Sequence, residues 1–183
     1  ARRRVGFLSD QPTLYEYLAG REYIEFVAEL YAVDAAGRFA IDAWLARLEL
    51  SAAADSLIKT YSLGMKKKVA FIAALVHDPD ILVLDEPTGG LDAASARVVK
   101  DVMAEHRAAG KSVLMTTHVM EIAERVADRI AIISKGELIA NATLAELRAR
   151  HARGAAESLE DIFLRLTQPA TSRGEVPLAS AIA

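Results

Sequence analysis

Short apolar runs of β-branched residues alternate with amphipathic stretches through the middle of the chain. Three of these runs have the continuous apolar character of fully buried strands, namely Ile81–Asp85 (ILVLD), Ser112–Thr117 (SVLMTT) and Arg129–Ser134 (RIAIIS). Residues 93–110 and 119–127, which connect them, carry apolar side chains at helical spacing. This alternation predicts an α/β fold whose three strands join one parallel sheet through right-handed crossovers.

Helical spacing dominates the N-terminal third of the chain. After a strand pattern that ends at Leu8, residues 14–33 and 38–50 are amphipathic, which predicts a helical subdomain over residues 12–56. Residues 65–80 then begin with three lysines and become apolar almost all round. Such a helix is expected in the core.

The C-terminal part predicts smaller elements. Residues 135–150 indicate a glycine turn, a short strand and a helix that is N-capped by Asn141 or Thr143. Residues 158–167 predict one more amphipathic helix. From Gln168 onward the sequence has no periodicity and holds two of the five prolines, which is typical of a flexible tail.

Composition excludes several classes of protein. The longest apolar run, Val69–Val76, is far shorter than the roughly 18 to 20 residues that cross a bilayer, so we expect no membrane crossing by this chain alone. The net charge of −3, from 22 basic and 25 acidic residues, gives no general attraction to nucleic acid. The absence of cysteine excludes disulfides, thiolate catalysis and cysteine metal sites.

Three polar residues follow two of the predicted strands. Asp85 and Glu86 end the first strand and His118 follows the second, and ligands of open α/β sheets bind at such carboxyl ends. Two adjacent carboxylates repel each other unless a cation offsets them, which favours a metal ion that carries a phosphate. The alternative is that both residues only cap the helix after the turn.

The segment Tyr61–Val69 (YSLGMKKKV) adds a candidate anion site. Ser62 can N-cap a helix with Gly64 in its first turn, which would present backbone N–H groups and the positive end of the helix dipole to an anion. The three lysines at 66–68 would add charge. An ordinary capped helix with a solvated first turn is the alternative.

Taken together, these segments resemble the ATP-binding cassette (ABC) ATPases from Val5 to Thr167. The matching motifs are the signature (Tyr61, Ser62, Leu63, Gly64, Met65), Walker B (Ile81–Asp85) followed by the catalytic Glu86, the D-loop (Gly89–Asp92) and the switch histidine (His118). The resemblance implies a P-loop NTPase-like parallel sheet with an inserted helical subdomain. The implied division is a partial ATPase domain over 1–167, with a helical subdomain (12–56), a core (57–140) and C-terminal helices (141–167), and then the tail 168–183.

The resemblance also implies the chemistry. The cofactors would be ATP and Mg²⁺, with Asp85 on the metal, Glu86 activating water and His118 contacting the γ-phosphate. Two subunits would dimerise head to tail, so that Ser62 and Gly64 of one subunit close over the nucleotide of the other. Asp92 would couple the two sites.

The family further implies partners and a location. The partners would be a second ATPase subunit and a separate integral membrane permease, with no nucleic acid, and the site of action would be the cytoplasmic face of the membrane. The efflux type of bacterial ABC transporter is the expected class. The loop around Asp10 and the exposed aromatics Tyr15 and Tyr17 would face the permease.

The chain departs from the family pattern at several positions. Leu63 replaces the first glycine of the signature and Met65 its glutamine, and Asp10 stands at the Q-loop glutamine, with Gln11 next, as a further candidate magnesium ligand. The Walker A loop is missing, because Gly110–Ser112 (GKS) ends a helix and enters a strand, the reverse of a phosphate loop. We therefore expect a C-terminal portion of a longer ATPase.

Two other functional classes stay open. The first is a non-transport ABC ATPase that acts on ribosomes or DNA, which predicts tandem cassettes, a coiled-coil insertion or a basic extension. The second is a cassette without catalysis that only dimerises or binds a permease.

Overall fold

The computed structural model describes residues 4–151 and 157–167, which fall into two compact units divided after His118. The tail predicted from Gln168 lies outside the described residues, as do the first three residues of the chain, which lead into the strand pattern that ends at Leu8. None of the described helices is both long and apolar enough to span a membrane.

Unit 1 is built on a parallel sheet of three strands, β1 (Val5–Leu8), β2 (Ile81–Asp85) and β3 (Ser112–Thr116), with β2 in the centre. The register pairs Leu8 with Leu84 and Asp85 with Thr116. Because the strands run in one direction, the segments that follow them leave from the same edge. This edge therefore collects the residues that the sequence places after each strand.

The helices of unit 1 are α1 (Gly20–Leu30), α2 (Ala35–Arg47), α3 (Leu63–Leu75) and α4 (Ala93–Ala108). Two short 3₁₀ turns lie at Ser51–Ala53 and Ile58–Thr60. Both helical segments predicted within residues 12–56 are confirmed as α1 and α2. Arg21 joins them, since its guanidinium lies 2.6 Å from Asp42 and 3.0 Å from Asp55.

Helix α3 is the core helix that its composition predicts. Its residues are buried from Lys67 to Leu75, and Val69 and Ile72 expose no surface. It contacts β1, α1 and α2. A helix that is apolar around its circumference needs neighbours on most sides, and here it has them.

Helix α4 ends in a glycine motif at Gly110, the first residue of the GKS segment. Gly110 has φ +76°, its N–H donates to the Arg107 carbonyl at 2.9 Å, and the Lys111 N–H donates to the His106 carbonyl at 3.2 Å. These bonds close the last turn of the helix. The segment is thus a helix-to-strand junction, as predicted.

Unit 2 contains α5 (Met120–Val126), β4 (Ile130–Ser134), β5 (Glu137–Ala142), α6 (Leu144–His151) and α7 (Leu159–Thr167). The prediction that the third strand, here β4, joins the parallel sheet is wrong. It pairs antiparallel with β5 in a separate two-stranded sheet.

The reason lies in the turn after β4. Lys135 and Gly136 both have positive φ, 52° and 82°, which is the backbone of a two-residue hairpin turn. Along β4, buried Ile130 and Ile132 alternate with the exposed Ile133, a one-sided pattern that suits an antiparallel strand.

The predicted C-terminal helices are present. Thr143, one of the two predicted caps, precedes α6, where its hydroxyl accepts from the Glu146 N–H at 3.2 Å and the Glu146 carboxylate accepts from the Thr143 N–H at 2.9 Å. This is a capping box. Leu147 of α6 and Leu159 of α7 complete an apolar cluster with the inner face of β4.

Candidate functional site

The carboxyl ends of β2 and β3 bring Asp85, Glu86 and His118 together. The Thr116 hydroxyl donates to Asp85 Oδ1 at 2.5 Å. Neither Asp85 nor Glu86 caps the following helix, because Asp92 is the N-cap of α4 and accepts from the Ser95 N–H at 2.8 Å. The capping alternative for the two adjacent carboxylates is therefore wrong.

The Glu86 carboxylate is held by donors from the residues after β3. Its Oε2 accepts from the Thr117 hydroxyl at 3.1 Å, and its Oε1 accepts from the His118 N–H at 2.6 Å. The Glu86 side chain is only 18% exposed. Hydrogen bonds from neutral donors fix the position of a carboxylate without cancelling its charge, so it can still accept a proton.

The Glu86 backbone is strained. Its φ is +45°, a left-handed conformation that costs a non-glycine residue of order 1 kcal/mol or more. The Glu86 N–H donates to the Thr116 carbonyl at 3.0 Å, and the Glu86 carbonyl accepts from the Gly89 N–H at 3.1 Å. The structure on both sides thus enforces a conformation that glutamate alone would avoid.

The His118 ring completes the cluster. Its Nδ1 lies 2.7 Å from Glu86 Oε1, while the His118 side chain as a whole is 83% exposed. An imidazole that donates from Nδ1 to a carboxylate keeps Nε2 for another partner. The pair therefore offers a positioned carboxylate and a ring nitrogen at one exposed edge.

The three lysines at the start of α3, which we expected to add charge to an anion site, each form an ion pair with a carboxylate of this chain: Lys66 with Glu16 at 2.5 Å, Lys67 with Asp10 at 2.9 Å and Lys68 with Asp92 at 3.1 Å. A paired ammonium adds less charge to its surroundings than a free one. A contribution of these lysines to an anion site stays a prediction.

The burial of Lys67 is the least expected property of the three lysines. Its side chain is 2% exposed, and besides Asp10 its Nζ donates to the backbone carbonyls of Glu86 and Gly89, both at 2.9 Å. The helical periodicity places Lys67 on α3 but carries no signal for these long-range partners. Thr116 and Thr117 were also missed, although Thr116 pairs in register with Asp85, and Thr117 and Glu86 are the next residues along the two chains.

The signature segment lies against the D-loop segment. Ser62 is the N-cap of α3, as predicted, and its hydroxyl accepts from the Met65 N–H at 3.2 Å. A Cβ on Gly64 would lie 2.9 Å from the Gly90 carbonyl oxygen, so this contact requires glycine at position 64. Leu63, in contrast, is largely exposed.

Asp92 is held by three donors. Besides the Ser95 N–H, the Ser95 hydroxyl lies 2.7 Å from its Oδ2, and Lys68 Nζ contacts the same oxygen. The pKa of Asp92 lies well below its usual range, chiefly because of the backbone N–H and the hydroxyl of Ser95, and then because of Lys68. This carboxylate stays ionised at neutral pH and fixes the turn before α4.

Comparison with known proteins assigns the chain to a family. The ABC transporter family model matches residues 1–89. An uncharacterised ABC transporter ATP-binding protein of Nostoc is 37% identical over 149 residues, which are 80% of this chain and 44% of that protein. A fluoroquinolones export ATP-binding protein of Mycobacterium tuberculosis is 36% identical over 150 residues, 82% of this chain and 49% of that protein.

A solved structure agrees over most of the chain. It is described as an ATP binding subunit of an ABC transporter, is 30% identical, and superposes with a TM-score of 0.85 over 91% of this chain and 70% of that one. This chain belongs to the ABC transporter ATP-binding family. The family predicted from the motifs and its α/β fold are thereby confirmed. The chain spans about half the length of the curated relatives it matches.

The side chains of this ABC family member show which residues could bind Mg²⁺. In nucleotide sites this ion takes one or two protein carboxylates, with phosphate oxygens and waters as its other ligands. Asp85 fits, because a neutral hydroxyl rather than a cation holds it. Asp10 fits poorly, because the Lys67 ammonium already contacts its Oδ1. No three His or carboxylate side chains in the described parts form a metal site by themselves.

Proposed function

We propose that the full-length protein containing this chain hydrolyses ATP at a head-to-tail dimer interface and drives export through a separate membrane permease. The observation that carries the proposal is the Glu86 carboxylate, which Thr117 and His118 hold at the carboxyl edge of the sheet. Export is favoured because a relative is named for fluoroquinolone export. Between Asp10 and Ser62 lie helices α1 and α2 and two short 3₁₀ turns, which does not favour a coiled-coil ATPase of ribosomes or DNA.

In this proposal Glu86 is the general base. Its carboxylate orients the attacking water and accepts a proton from it, while His118 Nε2 contacts the γ-phosphate. Asp85 would hold Mg²⁺, which supplies charge neutralisation at the phosphates when bound. The Glu86–His118 bond then joins the base to the phosphate contact, so both are set by one hydrogen bond.

The second subunit would complete the site. Ser62 and Gly64 of one subunit would close over the nucleotide of the other, since Ser62 begins α3 and helix N-termini favour anions. The carboxylate of Asp92 is committed to Ser95 and Lys68 within its own chain. We therefore propose that Asp92 couples the two sites by shaping the Gly89–Asp92 turn.

The experiment is the Glu86→Gln variant of the full-length protein. Glutamine keeps the shape of glutamate and cannot take a proton, so the variant should bind Mg-ATP and accumulate as a closed dimer. Light scattering should show twice the monomer mass with Mg-ATP for Glu86→Gln and a smaller dimer fraction for the wild type, which hydrolyses the nucleotide. A dimer fraction equal to that of the wild type would refute the role of Glu86.

The proposed permease contact lies near the start of the chain. Tyr15 and Tyr17 are 63% and 81% exposed, and exposed aromatic side chains are common anchors at protein interfaces. Tyr17→Ala should lower transport in vesicles about tenfold while ATP turnover persists, and Phe39→Ala, which removes another exposed aromatic on α2, should not. Normal transport by the Tyr17 variant would place the contact elsewhere.

A further inference from the structure

Lys67 is a buried ammonium with no free proton to donate. Its Nζ donates to Asp10 Oδ1, to the Glu86 carbonyl and to the Gly89 carbonyl, each at 2.9 Å. An ammonium has three donors, and all of them are used. Its 2% exposure means that these bonds replace solvation by water.

The three partners of Lys67 belong to two different segments. Asp10 follows β1, whereas Glu86 and Gly89 follow β2, and Lys67 itself lies one turn into α3, behind Ser62. One ammonium therefore connects the segment after β1, the turn that carries Glu86 and the start of α3.

Glu86 needs such support more than an ordinary residue. Its φ of +45° is held on the N–H side by the Thr116 carbonyl. On the carbonyl side it is held by the Gly89 N–H and by Lys67. Without Lys67 only the Gly89 N–H would hold the Glu86 carbonyl, and the peptide after Glu86 could rotate more easily towards an unstrained conformation. That rotation would shift the carboxylate away from Thr117 and His118.

We infer that Lys67 is a positioning residue for Glu86 and that Asp10 serves as its counter-charge rather than as a metal ligand. The inference rests on the proposed function, because it assumes that Glu86 is the general base. Lys67 would act through the Glu86 backbone and would not touch the nucleotide. A displacement of a catalytic group by about 1 Å can cost about 100-fold in rate.

The test compares three variants of the full-length protein, namely Lys67→Met, Asp10→Asn and the two combined. Lys67→Met should lower kcat about 100-fold and leave the Kd for a fluorescent ATP analogue within about threefold, because the nucleotide contacts remain. It should also lower Tm, since the Glu86 and Gly89 carbonyls lose a donor and the half-exposed Asp10 carboxylate loses its cation. Lys111→Met, which removes a lysine paired with Asp78 at the opposite edge of the sheet, should leave kcat unchanged.

The double variant separates positioning from stability. It removes both charges together, so the part of the Tm loss that comes from the unpaired Asp10 carboxylate should recover relative to Lys67→Met, but kcat should stay low because Lys67 no longer donates to the Glu86 carbonyl. Recovery of kcat together with Tm would overturn the inference and leave Lys67 a stabilising role only. If Lys67→Met does not fold, the double variant alone gives the same decision.

Asp10→Asn tests the second half of the inference. The asparagine oxygen can still accept from Lys67, so kcat should stay within about threefold of the wild type, with the same Mg²⁺ dependence. A rise of about tenfold in the Mg²⁺ concentration for half-maximal turnover would instead make Asp10 a metal ligand. Glu86→Gln in the same assay tests whether Glu86 is the general base, since normal turnover by that variant refutes the proposed function. Slow turnover by Glu86→Gln together with normal turnover by the double variant refutes only the role of Lys67.

Discussion

The two edges of the three-stranded sheet both carry charged residues, yet they use them differently. At the amino edge two ion pairs lie among the described residues, since Arg4 lies 2.6 Å from Asp80 and Lys111 lies 2.5 Å from Asp78. The pKa of Asp80 is lowered chiefly by its hydrogen bond from Arg4. In such surface ion pairs each charge is neutralised by its neighbour.

At the carboxyl edge the Asp85 and Glu86 carboxylates are held by Thr116, Thr117 and His118. The nearby cation, Lys67, donates to the Glu86 backbone carbonyl instead of to its carboxylate. The strained φ of Glu86 also lies on this edge. Both edges carry charged residues, so charge alone does not mark the candidate catalytic edge. The carboxyl edge differs from the amino edge because its Asp85 and Glu86 carboxylates are held by hydrogen bonds and are not neutralised by a lysine or arginine.

Among changes to the residues around Glu86, a large effect should come from removing the ring that contacts its carboxylate. His118→Ala should lower kcat of the full-length protein about 100-fold, because both the orientation of Glu86 and the phosphate contact are lost. Steady-state phosphate release measures it. His118→Asn is the matched comparison, because its amide can still donate to Glu86 in place of Nδ1 but cannot replace the phosphate contact of Nε2. Its turnover should therefore also be slow. Wild-type turnover by His118→Ala would remove the distinction between the two edges.

A smaller effect is expected at Asp92, which links the carboxyl edge to α4. Asp92→Ala should lower Tm by a few degrees at pH 7, because it removes the N-cap of α4 and the partner of Lys68. Asp92→Asn should lower it less, since asparagine is also a good N-cap.

The loss at Asp92 should depend on pH in a defined direction. The pKa of Asp92 is lower in the folded protein than in the unfolded chain, so its stabilisation is complete above the usual aspartate range and is lost as the pH falls below about 4. The Tm difference between wild type and Asp92→Ala should therefore shrink in acid. A difference that grows in acid would contradict this.

The smallest effect is expected at the amino edge. Lys111→Met should change the free energy of unfolding by less than about 1 kcal/mol, as is usual for surface ion pairs, and kcat by less than about twofold. Chemical denaturation and phosphate release measure the two quantities. A clear loss of turnover with intact stability would show that the amino edge also contributes to function.

Local patterns predicted much of this chain. The run ILVLD, the apolar circumference of α3, the cap at Ser62 and the junction at Gly110 are each encoded by neighbouring residues, and the structure has all of them. The motif spacing also brought Asp85, Glu86 and His118 to one edge, because parallel strands in register place their carboxyl ends together.

Long-range pairing could not be predicted in the same way. Whether β4 pairs with β5 or with the central sheet depends on a turn at Lys135 and Gly136 whose backbone the apolar run does not reveal. Lys67 lies 57 residues from Asp10 in sequence, and a lysine at the start of a helix is ordinarily exposed. Its burial follows from tertiary contacts that periodicity does not encode.

Single-turnover hydrolysis by the Glu86→Gln variant of the full-length protein tests the central claim most directly. With enzyme in excess over radiolabelled Mg-ATP, we predict binding at wild-type affinity and ADP formation at least about 100-fold slower than in the wild type, because the positioned base is gone. ADP formation at the wild-type rate would contradict the claim that the carboxyl edge of this sheet is the hydrolytic site.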